Sequence, residues 1–212
     1  MKELEQALSV FMDVGDLTGK LAQILICASE SGTISYQKAE EIAGNDTEEV
    51  LLMGWEWKLL IPVRTSRCGE WDDRLFMAEF GEVYEMPNVS RLLVKNACCT
   101  GRWDSTQSVA EFFEFAKEPQ WRLIPALVRR IREGYPAAGI NARQIKVACR
   151  EMGFGERTDT LIAILKGAGV ISPKLGSLAQ VTRTQIPLYE LNPCLFTEAS
   201  VIESLKMTEV RT

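Results

Sequence analysis

Part of this chain occurs twice, 111 residues apart, and the two copies match without a gap in the positions of their apolar side chains. The matched pairs include Thr47 with Thr158, Val50 with Leu161, Met53 with Ile164 and Leu60 with Ile171. The same offset places residues 75–77 on residues 186–188. A pattern repeated within 212 residues predicts two units of one fold, and the chain is long enough to bury a core.

The first copy predicts three helices followed by a β-hairpin. Apolar residues recur every three or four positions in the helical stretches, and alternating extended runs flank a Cys68-Gly69 turn. Ser35 is a good N-cap for the second helix, and Asp46 with Glu49 forms a capping-box pattern at the third. The predicted elements are helices over Asp16–Ser29, from Ser35 to Gly44 and from Asp46 to about Leu59, then extended runs Val63–Arg67 and Arg74–Ala78.

The second copy predicts the same order. Asn141 and Gln144 form a capping-box pattern, and a Gly153-Phe154-Gly155 turn separates the second and third helices. The predicted elements are helices over Gln120–Gly134, from Asn141 to about Met152 and over Arg157–Gly167, a Gly176-Ser177 turn, and extended residues Leu178–Leu191.

A connector lies between the two copies, and a tail follows the second. Pro87 opens a helix that residues 97–101 end, and Ser108 caps another with Glu111. The phenylalanines of that helix predict core packing between the units, with a dimer interface as the alternative; they are Phe112, Phe113 and Phe115. The predicted divisions are an acidic unit over 1–85, a connector over 86–118, a basic unit over 119–192, and a tail helix within 193–212.

Three helices followed by a hairpin, with a tight turn between the second and third helices, is the helix-turn-helix order with an added β-wing. Each unit therefore resembles a winged-helix domain over residues 14–85 and 119–192. The runs Val50–Pro62 and Leu161–Ile171 are similar to the helix-then-wing segment of MarR-like and ArsR-like regulators, and Ala78–Tyr84 resembles the helix start that follows their wing. The resemblance implies an α+β, mostly helical fold of two winged-helix units joined by a helical connector. A helical α+β fold with hairpins but without that topology is the alternative.

Charge divides the two units. Residues 1–110 carry 10 Lys and Arg against 18 Asp and Glu, whereas residues 119–183 carry 11 against 4. Only the second unit therefore favours a polyanion such as DNA, with a solvated basic surface as the simpler interpretation. In the first unit Asp46, Glu48 and Glu49 begin the third helix, where carboxylates repel phosphates. That unit instead suits subunit pairing or a protein partner, with Trp55, Trp57 and Trp71 either as aromatic anchors or as packing residues.

The winged-helix resemblance implies which residues of the second unit would contact DNA. Arg143, Lys146 and Arg150 follow i, i+3, i+7 spacing and share one face of the second helix, where they would hold phosphates. Others at the third helix and wing complete the expected set of Arg143, Lys146, Arg150, Arg157, Thr158, Thr160, Lys166 and Arg183. Arg157 and the two threonines would lie nearest to base edges. Glu156 and Asp159 are acids that would neutralise Arg157 locally.

Catalysis is not expected. Histidine is absent, which excludes Ser-His-Asp and Cys-His nucleophiles and HExxH zinc sites, and no P-loop or dinucleotide fingerprint occurs. The six cysteines include no CxxC, so no metal or cofactor is expected, although adjacent Cys98 and Cys99 leave a vicinal disulfide or a soft-metal site open. No apolar run is long enough to span a membrane and the acidic N-terminus does not resemble a secretory signal, so we expect a cytoplasmic protein.

These observations predict a DNA-binding homodimer, most simply a transcriptional regulator, that contacts double-stranded DNA through its basic second unit. The alternative is a non-catalytic scaffold that grips other proteins. Tandem winged helices that are acidic overall resemble accessory subunits of chromosome-segregation and membrane-trafficking complexes, and this chain has a net charge of −5.

Overall fold

A computed structural model describes residues 1–63, 76–134, 139–174 and 186–197, and every structural statement below concerns those residues. The first unit contains α1 (Lys2–Leu8), α2 (Asp16–Ser31), β1 (Thr33–Ser35), α3 (Tyr36–Ala43), α4 (Thr47–Glu56), β2 (Ile61–Pro62) and β3 (Val83–Glu85). The connector contains α5 (Asn88–Thr100) and α6 (Ser105–Phe115). The second unit contains α7 (Ile124–Glu133), β4 (Ile140–Asn141), α8 (Ala142–Glu151), α9 (Thr158–Ala168), β5 (Ile171–Pro173) and β6 (Leu188–Leu191).

Each unit holds one small antiparallel sheet, and the two sheets have the same topology. Their strand orders are β1-β3-β2 and β4-β6-β5, so the last strand of each unit lies in the middle. Ile34 pairs with Tyr84 in the first sheet, and Ile140 pairs with Tyr189 in the second. Apart from the additional helix α1 of the first unit, the helices and strands follow the same order in both units, α-β-α-α-β-β. The predicted α+β, mostly helical class is confirmed.

The repeat at offset 111 is visible in the geometry of the third helices. Thr47 and Thr158 are the first residues of α4 and α9, and each hydroxyl donates to a carbonyl three residues earlier, at 2.6 and 3.0 Å. Lys58 and Gly169, just past the ends of these helices, both have left-handed backbone, with φ of 51° and 77°. The two segments therefore share these backbone features as well as matching apolar residues.

The predicted offset of 111 does not extend to the last strand of each unit. Tyr84 and Tyr189 hold equivalent positions in the two sheets, which makes the offset there 105, because residues 63–82 separate β2 from β3 while only 174–187 separate β5 from β6. Residues 83 and 84, predicted to begin a helix, lie in β3. Most of the first predicted hairpin falls in 64–75, outside the described residues.

Asp46 is the N-cap of α4 as predicted, but its carboxylate makes no capping hydrogen bond and instead forms an ion pair with Lys20 of α2. The predicted start of α6 is wrong. Asp104 caps α6 instead of Ser108, accepting from the Gln107 N–H at 2.8 Å, and Ser108 is buried inside the helix. The helix α5 continues through both adjacent cysteines to Thr100.

The capping box at the start of α8 is confirmed. The Gln144 N–H donates to Asn141 Oδ1 at 2.9 Å, and the Asn141 N–H donates to Gln144 Oε1 at 2.8 Å. We expect Asn141→Ala to lower the free energy of unfolding by about 1 kcal/mol, since one orphan donor of the helix loses its partner. Urea denaturation measures this loss. Asn45→Ala, at an exposed position, is the matched control, and an equal loss in both variants would contradict the capping argument.

A single hydrophobic core runs through both units and the connector. It includes Leu25 of α2, Leu93 of α5, Phe113 of α6 and Leu165 of α9, all fully buried. The connector helix α5 packs on α1, α2 and α6 and also reaches α9. Of the predicted phenylalanine cluster, only Phe113 is fully buried, and Phe115 is 87% exposed. Among the described residues, no helix is long and apolar enough to cross a membrane.

A buried asparagine after β6 joins the two units. The amide nitrogen of Asn192 lies 3.0 Å from the carbonyl of Gly169, 3.4 Å from the carbonyl of Lys58 and 3.2 Å from the hydroxyl of Ser90. Lys58 and Gly169 are the equivalent left-handed residues of the two units. The Asn192 Oδ1 accepts from the Cys194 N–H at 3.2 Å. Asn192 is fully buried, so these bonds satisfy backbone groups that water does not reach. The predicted tail helix falls mostly in 198–212, outside the described residues.

Candidate nucleic-acid interface

Three cations form a stripe along the exposed face of α8, which we call the basic stripe: Arg143, Lys146 and Arg150. The helix turns this face outward because Ile145, Ala148 and Cys149 on its other face are buried in the core. No carboxylate of the described residues pairs with these three cations. Their charge is therefore available to an anionic partner.

An open groove lies beside the basic stripe, between α8, α9 and the two residues that precede the strand β6. It has a volume of about 290 Å³ and is lined by Arg143, Lys146, Asp159, Ile162 and Pro187, among others. Two cations at one wall and one carboxylate opposite leave the groove positive on the α8 side. The groove also lies at the N-terminal end of α9, which is the predicted third helix of the second unit.

Arg157, predicted to lie near base edges, is engaged in an ion pair within the chain. Its guanidinium forms a two-pronged ion pair with Glu118, one prong measuring 2.8 Å from Nη2 to Oε2, and Glu118 is buried. The Arg157 guanidinium holds the pKa of Glu118 below its ordinary value, and the same hydrogen bonds raise the pKa of Arg157. The partner is therefore a carboxylate 39 residues away, not the neighbouring Glu156 or Asp159.

The other predicted contacts lie in different places. Thr158 lines the groove but is buried, and its hydroxyl donates to the Gly155 carbonyl at the start of α9. Thr160 is exposed on α9. Lys166 lines a separate polar cleft of about 410 Å³ at the junction of the units, beside Arg91. Arg183 lies outside the described residues. The structure therefore brings Arg143, Lys146 and Thr158 to one groove, without Arg157 and Lys166.

The arginines of α7 contribute less charge than their number indicates. Arg130 pairs with Glu151 at 2.8 Å and with Glu133 at 3.4 Å, and the Arg132 guanidinium lies 5.4 Å from the ring centre of Phe196. Arg129 is exposed. The available positive charge is thus concentrated on α8.

The corresponding surface of the first unit is acidic. The exposed side of α4 carries Glu48, Glu49 and Glu56 around Leu52, and no cation of the described residues pairs with the three carboxylates. Trp55, a predicted anchor, is half-buried, with the Lys58 ammonium 4.2 Å from its ring centre.

Trp57, also predicted as an anchor, is half-buried and packs edge-on against Phe11, 4.7 Å between ring centres. Trp71 lies outside the described residues. Trp55 and Trp57 therefore both make packing contacts within the chain. Their contacts leave α4's carboxylates and Leu52 as the exposed features of this surface.

Three of the described cysteines are buried in a way that affects their thiols. Burial raises the pKa of the Cys98, Cys149 and Cys194 thiols, that of Cys194 to about 12, which disfavours the reactive thiolate. Within the described part of the chain, no group of histidine, cysteine or acidic side chains is arranged to hold a metal ion.

Comparison with known proteins identifies the family and no individual relative. No curated protein and no solved structure matches the chain. One family model matches residues 2–201, nearly the whole length. The chain therefore belongs to this protein family, whose function is unknown.

Proposed function

We propose that the two units are winged helices and that the protein binds duplex DNA through the second unit, most simply as a transcriptional regulator. The observation that carries this proposal is the basic stripe: three exposed, unpaired cations on one face of α8, beside an open groove.

The arrangement of the helices supports contact with DNA on this side. In a helix-turn-helix, the recognition helix lies in the major groove and the preceding helix crosses the phosphate backbone. With α9 as the recognition helix, α8 is the helix that meets the backbone, and its cations suit phosphates. Thr160 then offers a hydroxyl to a base edge.

The first unit does not fit the same role, although its elements have the same order. Its α4 is equivalent to α9, and the carboxylates on its exposed face would repel phosphates. The proposed DNA contact therefore uses one unit of each chain.

Binding of random-sequence duplex DNA across a salt series tests the proposal. We expect wild-type binding to weaken steeply with salt, and Arg143→Ala/Lys146→Ala/Arg150→Ala to weaken it by about 30-fold at low salt. In this variant the negative slope of log K against log salt is expected to become shallower by roughly 3, because about one counterion is released for each phosphate contact.

A second triple variant controls for net charge. Lys2→Ala/Lys95→Ala/Arg102→Ala removes three exposed cations elsewhere and is expected to retain nearly wild-type binding. Equal losses in the two variants would contradict a localised interface. Absence of DNA binding by the folded wild-type chain at low salt would overturn the proposed function.

A protein-interaction scaffold is the second candidate function. It is favoured by the exposed aromatic ring of Phe115 and by the acidic face of the first unit, neither of which suits DNA. If the salt series shows no DNA binding, the protein-interaction scaffold becomes the better interpretation.

A further inference from the structure

The helices α4 and α8 carry exposed stripes of opposite charge. On α8, the half-exposed Val147 (46%) lies beside the cations of the basic stripe. On α4, Leu52 (36% exposed) lies among Glu48, Glu49 and Glu56, which we call the acidic stripe. Leu52 thus lies between the three carboxylates of its stripe, Val147 lies at the edge of the basic stripe, and each helix is ten residues long.

Such stripes match as the two sides of a small helix–helix contact. Protein interfaces commonly place an apolar centre within a charged rim, and opposite charges across the rim favour encounter and fix the orientation. Three exposed carboxylates would meet three exposed cations, and Leu52 would meet Val147. Both sets of charges lack a partner among the described residues of their own chain.

Within one chain these stripes stay apart. Both are exposed in the folded chain, and one continuous core holds the two units together. A contact between them therefore requires a second copy. If a two-fold axis relates the copies, each dimer contains the contact twice, because each chain supplies both stripes.

We propose that the acidic stripe of one chain docks on the basic stripe of a second copy. On the proposed function, this contact covers the cations that hold phosphates. DNA and self-association then compete for the same face of α8, because the carboxylates of the second copy occupy the place that phosphates would take.

Sedimentation velocity tests the contact without DNA. We expect wild-type protein to form dimers at low ionic strength and to dissociate at high ionic strength, since exposed ion pairs are screened by salt. Replacing the three carboxylates of the acidic stripe by lysine, or the three cations of the basic stripe by glutamate, is expected to weaken self-association at least tenfold.

An equimolar mixture of these two variants gives the most specific result. It restores the dimer if the stripes meet, because the first variant keeps the basic stripe and the second keeps the acidic stripe. A wild-type chain that stays monomeric at low ionic strength, or a mixture that stays monomeric, would overturn the proposal. Replacing Lys2, Lys95 and Arg102 by glutamate is the charge-matched control and is expected to leave the wild-type dimer intact.

Measuring DNA binding by a third variant separates this inference from the proposed function. Glu48→Gln/Glu49→Gln/Glu56→Gln is expected to bind DNA severalfold more tightly than the wild type at low ionic strength. The control variant is Glu30→Gln/Glu79→Gln/Glu114→Gln, which removes three exposed carboxylates elsewhere. Its affinity for DNA is expected to rise less. Dimers without DNA binding would overturn only the function, and DNA binding by a monomeric wild-type chain would overturn only the docking.

Discussion

Replacing Asn192 by alanine is expected to lower the free energy of unfolding by about 4 kcal/mol. The amide of Asn192 serves the carbonyls of Lys58 and Gly169 together with the hydroxyl of Ser90, all at a fully buried position. Removal leaves these acceptors without that donor, and each buried polar group left unsatisfied costs about 1–3 kcal/mol. Urea denaturation followed by far-ultraviolet circular dichroism measures the loss.

A second asparagine controls for the loss of a side-chain amide. Asn96 is half-buried and donates only to side chains, to Ser108 at 3.2 Å and Glu111 at 2.7 Å. Asn96→Ala is expected to cost about 1 kcal/mol. Losses of similar size in the two variants would show that Asn192 has no special role at the junction.

Replacing Arg157 by alanine is expected to cost about 3 kcal/mol, because it leaves the buried carboxylate of Glu118 without its cation. This is the low end of the range for breaking a buried ion pair, since the Arg157 side chain is 37% exposed. Denaturation at neutral pH measures the loss. The double variant Arg157→Ala/Glu118→Gln is expected to lose less free energy of unfolding than the two single variants lose together.

The ion pair also predicts a dependence on pH. The folded pKa of Glu118 is lowered from 4.5, so its contribution to stability is present above that pH and is lost as pH falls through the folded value. The difference in stability between wild type and Glu118→Gln is therefore expected to shrink below about pH 4.5. A difference that stays constant down to acid unfolding would contradict the pairing.

Local patterns in the sequence were enough to predict the parts of the fold that depend on neighbouring residues. The capping box of Asn141 involves residues three apart, and the repeat of α4 in α9 contains no insertion. The basic stripe was predictable for the same reason, since i, i+3, i+7 spacing on one helix determines which side chains share a face.

Contacts between distant residues were not predictable from such patterns. Glu118 pairs with Arg157 across 39 residues, and Asn192 meets Lys58 across 134. The register of the last strands did leave a signal in the sequence. Val83-Tyr84-Glu85-Met86 matches Leu188-Tyr189-Glu190-Leu191 at an offset of 105, whereas a single fixed offset of 111 hides this match.

The shared core makes the two units thermodynamically dependent on each other. If unfolding exposes both units in one step, a ligand that binds only the folded second unit protects the first by the same free energy. Heat or protease resistance of the acidic half would then report occupancy of the basic half. Ligand binding to the second unit would then raise the stability of the first unit without any change in the structure of either unit.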